Sequence, residues 1–213
     1  MRERYLDALA AADLAVARNV LDDAIEAGMS VRRIYLDVLQ PALYEIGRRW
    51  SHAEISVAQE HLATAATQSA MARLAERLSD GAPRRVRPGS AIVACVSDEL
   101  HSVGGRMVAD FLEADGWRVT FLGQLTPSVE LAALAAHHDA QVVALSAALP
   151  ERVPHVAGMC AALRALEPVP FVLVGGQAFA GSAERALRTG ADAYAADAEA
   201  AVAAVRGRFP APA

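Results

Sequence analysis

Lysine is absent: all 20 basic residues of this 213-residue chain are arginine. A phosphate-binding loop that needs a lysine, and chemistry through a lysine Schiff base, are thereby excluded. Cysteine is scarce. Cys95 and Cys160 stand far apart in apolar segments, which excludes a disulfide framework or thiolate metal site and predicts two small buried hydrophobes in a reduced, cytoplasmic protein. Positive charge is also short, since 20 basic against 25 acidic residues give a net charge of −5. Neither direct nucleic-acid binding nor an anionic membrane surface is expected. No uncharged apolar run reaches the roughly 18 residues of a membrane span, and the start, Met1-Arg2-Glu3-Arg4, is too charged for a leader. Aromatics make up only 5% of the chain, yet aliphatic residues raise the hydrophobic share to 54%, enough for a sizeable core.

What is present changes character near residue 80. Residues 1–80 carry helical periodicity without a strand signal. A first helix is expected at about 2–12, and a second buries Leu14, Ala17, Leu21, Ala24 and Ile25 before Gly28 and the N-cap Ser30. In the third, Ile34, Val38, Ala42, Ile46 and Trp50 recur every four residues beside Tyr35, Leu39 and Leu43, and Pro41 is a candidate bend. A break at Ser51-His52-Ala53 leads into a last helix from about Glu54 to Leu78, which completes a four-helix bundle. Residues 81–89, Gly-Ala-Pro-Arg-Arg-Val-Arg-Pro-Gly, read as a linker.

From residue 90 to 213, short apolar runs alternate with helical stretches. The runs are Ala91–Val96, Trp117–Leu122, Gln141–Ser146, Phe171–Val174 and, more weakly, Asp192–Ala195. They predict a Rossmann or flavodoxin-like domain, a five-stranded parallel α/β sheet covered on both faces, whose ligand sits at the carboxyl ends of the strands. Directly after the first run comes Ser97-Asp98-Glu99-Leu100-His101-Ser102-Val103-Gly104-Gly105. A carboxylate two residues before a histidine can hold one ring nitrogen while the other faces a metal, and the paired glycines let a bulky group approach the backbone. Ser146 ends the third run, with 41 residues between it and Gly104, and 26 residues separate Ala148 from Gly175-Gly176 after the fourth.

These motifs and spacings together resemble the cobalamin-binding domain shared by methionine synthase and the B12-dependent mutases, whose pattern runs Asp-x-His-x-x-Gly, Ser-x-Leu, Gly-Gly. The resemblance implies that His101 is the lower axial cobalt ligand with the cofactor's own base displaced, and that Glu99 polarises it in place of aspartate. It implies further that Ser146 contacts the displaced base and that Gly104, Gly175 and Gly176 leave room for the nucleotide tail, with Ser102, Gly105 and Gly123 beside the cofactor. Ala148 departs from the pattern's leucine, and Asp98 is a rival partner for the histidine. Gly123-Gln124 is a turn that either borders the corrin or touches no ligand. His137-His138-Asp139 lacks a further ligand at metal-site spacing, and Met29, Met71 and Met107 read as core.

In the helical half, Trp50 precedes Glu60-His61 by nine intervening residues. A tryptophan gives a flat apolar cover, with polar groups beside it. This run, with Gln40-Pro41-Ala42-Leu43-x-x-Ile46-Gly47 before it, resembles light-responsive transcriptional regulators of the CarH/LitR type, in which Trp and Glu shelter the adenosyl group of adenosylcobalamin. No helix-turn-helix is evident before the bundle. The resemblance therefore implies a non-enzymatic cobalamin-binding sensor, a photoreceptor that regulates through a protein partner and self-associates, with His52 or His61 a further cobalt ligand once the adenosyl group has left. The rival is the corrinoid carrier of a methyltransferase system, bearing methylcobalamin.

Overall fold

The computed structural model describes residues 1–78 and 89–210, and the chain divides into two compact units, Met1–Pro83 and Arg84–Ala213. In the first unit, α1 (Arg2–Ala10) and α2 (Leu14–Glu26) are followed by one long helical run and then by α5 (Val57–Leu74) with a 3-10 turn, Ala75–Arg77. The long run comprises α3 (Val31–Arg33), a π-helical stretch (Ile34–Leu39) and α4 (Gln40–Ser51). Asp13 and Ser30 cap α2 and α3, accepting from the backbone N–H groups of Val16 and Arg33.

Pro41 does not break this helix. It sits in the first turn of α4, after a π turn in which Gln40 N–H reaches back to Tyr35 O. The wider turn also explains the four-residue repeat of Ile34, Val38, Ala42 and Ile46, which are all buried. In a regular α-helix such a repeat drifts by about 40° per step, and a π insertion absorbs part of the drift. Past Ile46 the drift prevails, and Trp50 emerges 46% exposed.

Tyr5, Leu9, Leu21, Tyr35, Leu39, Met71 and Leu74 fill the bundle's core. The Tyr5 hydroxyl meets Thr67 Oγ1 at 3.1 Å, and Tyr35 donates to Met71 O at 3.0 Å, so both buried phenols are satisfied. Along α2 the buried face is Ala17, Val20, Leu21 and Ala24; Leu14 is exposed, because it is the first residue of the helix.

The second unit runs β1 (Ser90–Cys95), α6 (Val103–Ala114), β2 (Arg118–Gly123), α7 (Ser128–His137), β3 (Val142–Ser146), α8 (Val153–Arg164), β4 (Phe171–Gly175), α9 (Ala183–Leu187), β5 (Ala193–Ala195) and α10 (Ala198–Arg208). All strand pairs are parallel in the order β2-β1-β3-β4-β5, the flavodoxin-like arrangement that the sequence pattern predicts. On one face Ile92, Ala94, Val143, Leu145, Val172 and Val174 pack with Leu131, Val156, Met159 and Leu163. On the other, α6 packs against α10, β1 and β2.

Gly89, the last residue of the expected linker, is held by the sheet. It is buried and its carbonyl accepts from Arg118 N–H at 3.4 Å, so this residue packs with the α/β unit; residues 81–88 of the expected linker lie outside the described residues. Cys95, Cys160, Met71 and Met107 are buried as expected, whereas Met29 is half-buried.

Candidate functional site

In this strand order the chain reverses direction across the sheet between β1 and β3, so the loops that follow these two strands diverge and leave a crevice at the carboxyl edge. The register places Cys95, Ser146, Gly175 and Ala195 side by side across β1, β3, β4 and β5 at that edge. The long spacings in the sequence therefore bring the motifs together: the first runs from α6 through β2 and α7 to β3, two crossovers, and the second runs through α8 to β4, one crossover.

Glu99 is fully buried beside the crevice. Its Oε1 accepts from the backbone N–H of His101 at 2.9 Å and from His101 Nδ1 at 2.5 Å, while Oε2 accepts from Ala148 N–H at 2.8 Å. Burial raises the carboxyl's pKa, but the hydrogen bonds from the His101 ring and the two backbone N–H groups outweigh it and hold the group at about 2. The longer glutamate thus fixes the imidazole's tautomer and links the β1 loop to the β3 loop. Ala148 contributes only its backbone N–H to this contact, so alanine in place of leucine leaves it intact. His101 itself is 49% exposed at the side chain. Below it, Cys95 Sγ lies 3.7 Å from His101 O, and burial, then the Glu99 charge, push that thiol up to about 12.

Asp98 is not the histidine's partner. It adopts a left-handed φ of 62°, is exposed, and lies 3.8 Å from His155 Nδ1, whose hydrogen is donated to Ser97 O at 2.7 Å. His155, on α8, is a site neighbour that sequence reasoning missed; no spacing rule ties it to the first loop. The β2 loop closes on the same segment. Gln124 donates to Leu100 O and, at 3.4 Å, to Ser102 Oγ; Leu125 N–H reaches Glu99 O at 3.2 Å, and Ser97 Oγ donates to Thr126 O at 3.1 Å. Gly123, which ends β2 with φ 72°, lets the chain turn into this contact.

The glycines separate by cause. A Cβ on Gly176 would lie 2.1 Å from Ala147 O, with φ at 105°, and one on Gly175 would lie 2.6 Å from Ala195 O. Both are required by the chain's own backbone packing. Gly105 is pressed against Phe121, Cys95 and Ser146 at 3.4–3.5 Å. Gly104 differs: the nearest atom to its Cβ position is Ser146 Oγ at 3.8 Å, so the fold tolerates a side chain there and the cradle it leaves is open. A half-exposed imidazole on a fixed carboxylate, beside an open glycine cradle, is a donor set that fits a metal-centred macrocycle ligated from below.

In the helical unit, Trp50 is in the last turn of α4, and Glu60 and His61 lie in the first turns of α5. That helix starts at Val57, not near Glu54, because Ser56 and Gln59 form a capping box. Glu60 accepts from Thr64 Oγ1 at 2.9 Å and lies 3.6 Å from the exposed His61 ring. His52 is anchored, its Nδ1 donating to Arg48 O at 2.8 Å. The break is a Schellman turn: Ala53 N–H meets Trp50 O at 2.9 Å and Glu54 N–H meets Arg49 O at 2.8 Å, with Ala53 at φ 57°. His137 and His138 are exposed, and no cluster of metal-binding side chains occurs among the described residues.

Residues 89–206 match the family described as B12 binding domain, and residues 1–75 match a second family of that description. The chain is 36% identical over 179 residues to the HTH-type transcriptional repressor CarA of Myxococcus xanthus, covering 83% of this chain and 58% of the repressor. It is 27% identical over 143 residues to monomethylamine corrinoid protein 2 of Methanosarcina acetivorans, covering 67% and 66%. The chain thus spans less than two thirds of either relative. The monomethylamine corrinoid protein of Methanosarcina barkeri shares the fold, with a TM-score of 0.79 at 24% identity over 95% of this chain and 96% of that one.

Proposed function

The chain belongs to the B12-binding domain proteins, and from that premise we propose that it is an adenosylcobalamin-dependent light sensor that regulates through a partner protein. The observation that carries the reading is the Glu99–His101 pair, fixed at 2.5 Å at the carboxyl edge of β1. With Nδ1 on Glu99, Nε2 would hold the cobalt, and the anionic carboxylate would strengthen the imidazole as a donor. Gly104 and Ser146 border the space for the displaced base. When bound, adenosylcobalamin supplies a cobalt–carbon bond that visible light breaks.

The remaining steps belong to the protein. Trp50, nearly half exposed in this structure, would cover the adenosyl group, and Glu60 and His61 would offer partners for its ribose hydroxyls. Loss of that contact would free Trp50 and shift the balance between two arrangements of the helical unit. His52, whose Nδ1 is already engaged by Arg48 O, would hold the cobalt through Nε2 once the adenosyl group has left, with His61 the second candidate. The 36% identity to a transcriptional repressor supports regulation through a protein partner, with the signal passed by altered association, including self-association. The second reading, a methyl-bearing corrinoid carrier for a methyltransferase, is supported by the corrinoid relative.

Visible spectra and size-exclusion profiles of protein loaded with adenosylcobalamin or methylcobalamin, in the dark and after green light, test the proposal. A tighter hold on adenosylcobalamin that depends on Trp50, a base-displaced spectrum lost in His101→Ala, and a light-dependent assembly change weakened in His52→Ala are expected. Equal affinities and identical profiles in dark and light favour the carrier instead.

A further inference from the structure

Two large apolar side chains stand exposed beside His101. Leu100, the residue before it, is 58% exposed and Leu125 is 51% exposed. They are held next to one another, since Gln124 donates to Leu100 O and Leu125 N–H bonds Glu99 O at 3.2 Å. Leu125 is also strained. Its φ of 55° is left-handed, a conformation suited to glycine or asparagine and unfavourable for leucine. An exposed leucine in a strained loop is doubly costly to the free protein, and strain of this kind clusters where a ligand is clamped.

We propose that Leu100 and Leu125 form an apolar seat for the underside of the corrin macrocycle, setting its tilt and affinity around the His101 ligand. The inference rests on the cobalamin reading above. The occupant follows from position: a flat macrocycle held through the His101 ring extends beyond the imidazole on every side, Leu100 directly precedes that histidine, and Leu125 is bonded through its N–H to Glu99 O, one residue further back. A protein partner would have to contact the same leucines after the macrocycle had covered them. The seat lies on the side opposite the exchangeable ligand, so it acts equally whatever group the cobalt carries above.

Leu125→Asn separates binding from folding. Asparagine tolerates the left-handed backbone, so the cofactor-free variant is expected to unfold at equal or higher denaturant than the wild type, while hydroxocobalamin binding in the dark weakens about tenfold. Leu100→Gln should weaken binding by a similar factor, and the factor should be the same for methylcobalamin and adenosylcobalamin, unlike that of Trp50→Ala. Titrations of the purified full chain followed by visible absorbance give these ratios. Wild-type affinity in both leucine variants overturns the seat while leaving the cobalamin reading intact, as does unchanged affinity with lost self-association, which assigns the leucines to a protein contact. Failure of the wild type itself to bind hydroxocobalamin defeats the underlying reading instead.

Discussion

Replacing Glu99 by glutamine keeps the volume of a buried side chain and removes its charge, so the change in stability reports electrostatics and hydrogen bonding rather than packing. In the wild type, all three donors, His101 N–H, His101 Nδ1–H and Ala148 N–H, face acceptor oxygens. Glutamine offers one oxygen and one NH2 group, so whichever way the amide turns, a donor meets a donor. The carboxyl is held at about 2 from an ordinary value of 4.5, a shift equivalent to about 3 kcal/mol. Because the folded value is the depressed one, that stabilisation is present in full above pH 4.5 and fades as pH falls toward 2. Part of the bonding survives in the variant, so a loss of about 2–3 kcal/mol at pH 7 is expected.

Urea denaturation of the cofactor-free full chain at pH 7, 5 and 3 measures this. Trp117 is buried in the α/β unit and Trp50 belongs to the helical one, so a Trp50→Phe background confines the fluorescence signal to the unit carrying Glu99. The difference between the wild-type and glutamine forms should be largest at pH 7, smaller at pH 3, and vanish near pH 2. Other carboxylates titrate over the same range, Glu45 among them, lowered to about 2 by its bonds to Arg48 and Arg49, but they are common to both forms and cancel. Coincident midpoints at pH 7, or a gap that does not narrow with acid, refute the account of Glu99 as an anion held by three donors.

Gly176→Ala should destabilise the α/β unit by at least about 2 kcal/mol, through the left-handed backbone and the approach to Ala147 O; in contrast, Gly104→Ala should leave cofactor-free stability unchanged or up to about 1 kcal/mol higher while weakening cobalamin binding. Denaturant midpoints and absorbance titrations distinguish the pair, and equal destabilisation by both refutes the division of the glycines into packing and cradle positions. Ala53→Gly relieves a left-handed alanine at the end of α4 and should stabilise the helical unit by about 0.5–1 kcal/mol, measured as a shift in the Trp50 fluorescence transition; no shift means the turn is unstrained.

By itself the sequence determined the elements and their order. Strands such as Val142–Ser146 are buried on both faces, so they stand out as continuous apolar runs, and the crossover lengths follow from the geometry of parallel strands. The Glu99-x-His101 pair was legible because residues two apart after a strand share one loop. The helix boundaries near Pro41 and Ser56 were less legible, because a π turn and a capping box depend on local hydrogen bonds rather than on hydrophobic period. Only the tertiary structure decided which acid serves His101, since Asp98 and Glu99 are adjacent in the chain and differ only in where a left-handed turn sends them. It alone distinguished Gly175 and Gly176, closed in by backbone from β5 and the β3 loop, from the open Gly104. It also set His155 beside Ser97 and Leu125 beside Glu99. These contacts join residues distant in sequence through backbone atoms that every amino acid shares, and such atoms leave no mark on the choice of side chain.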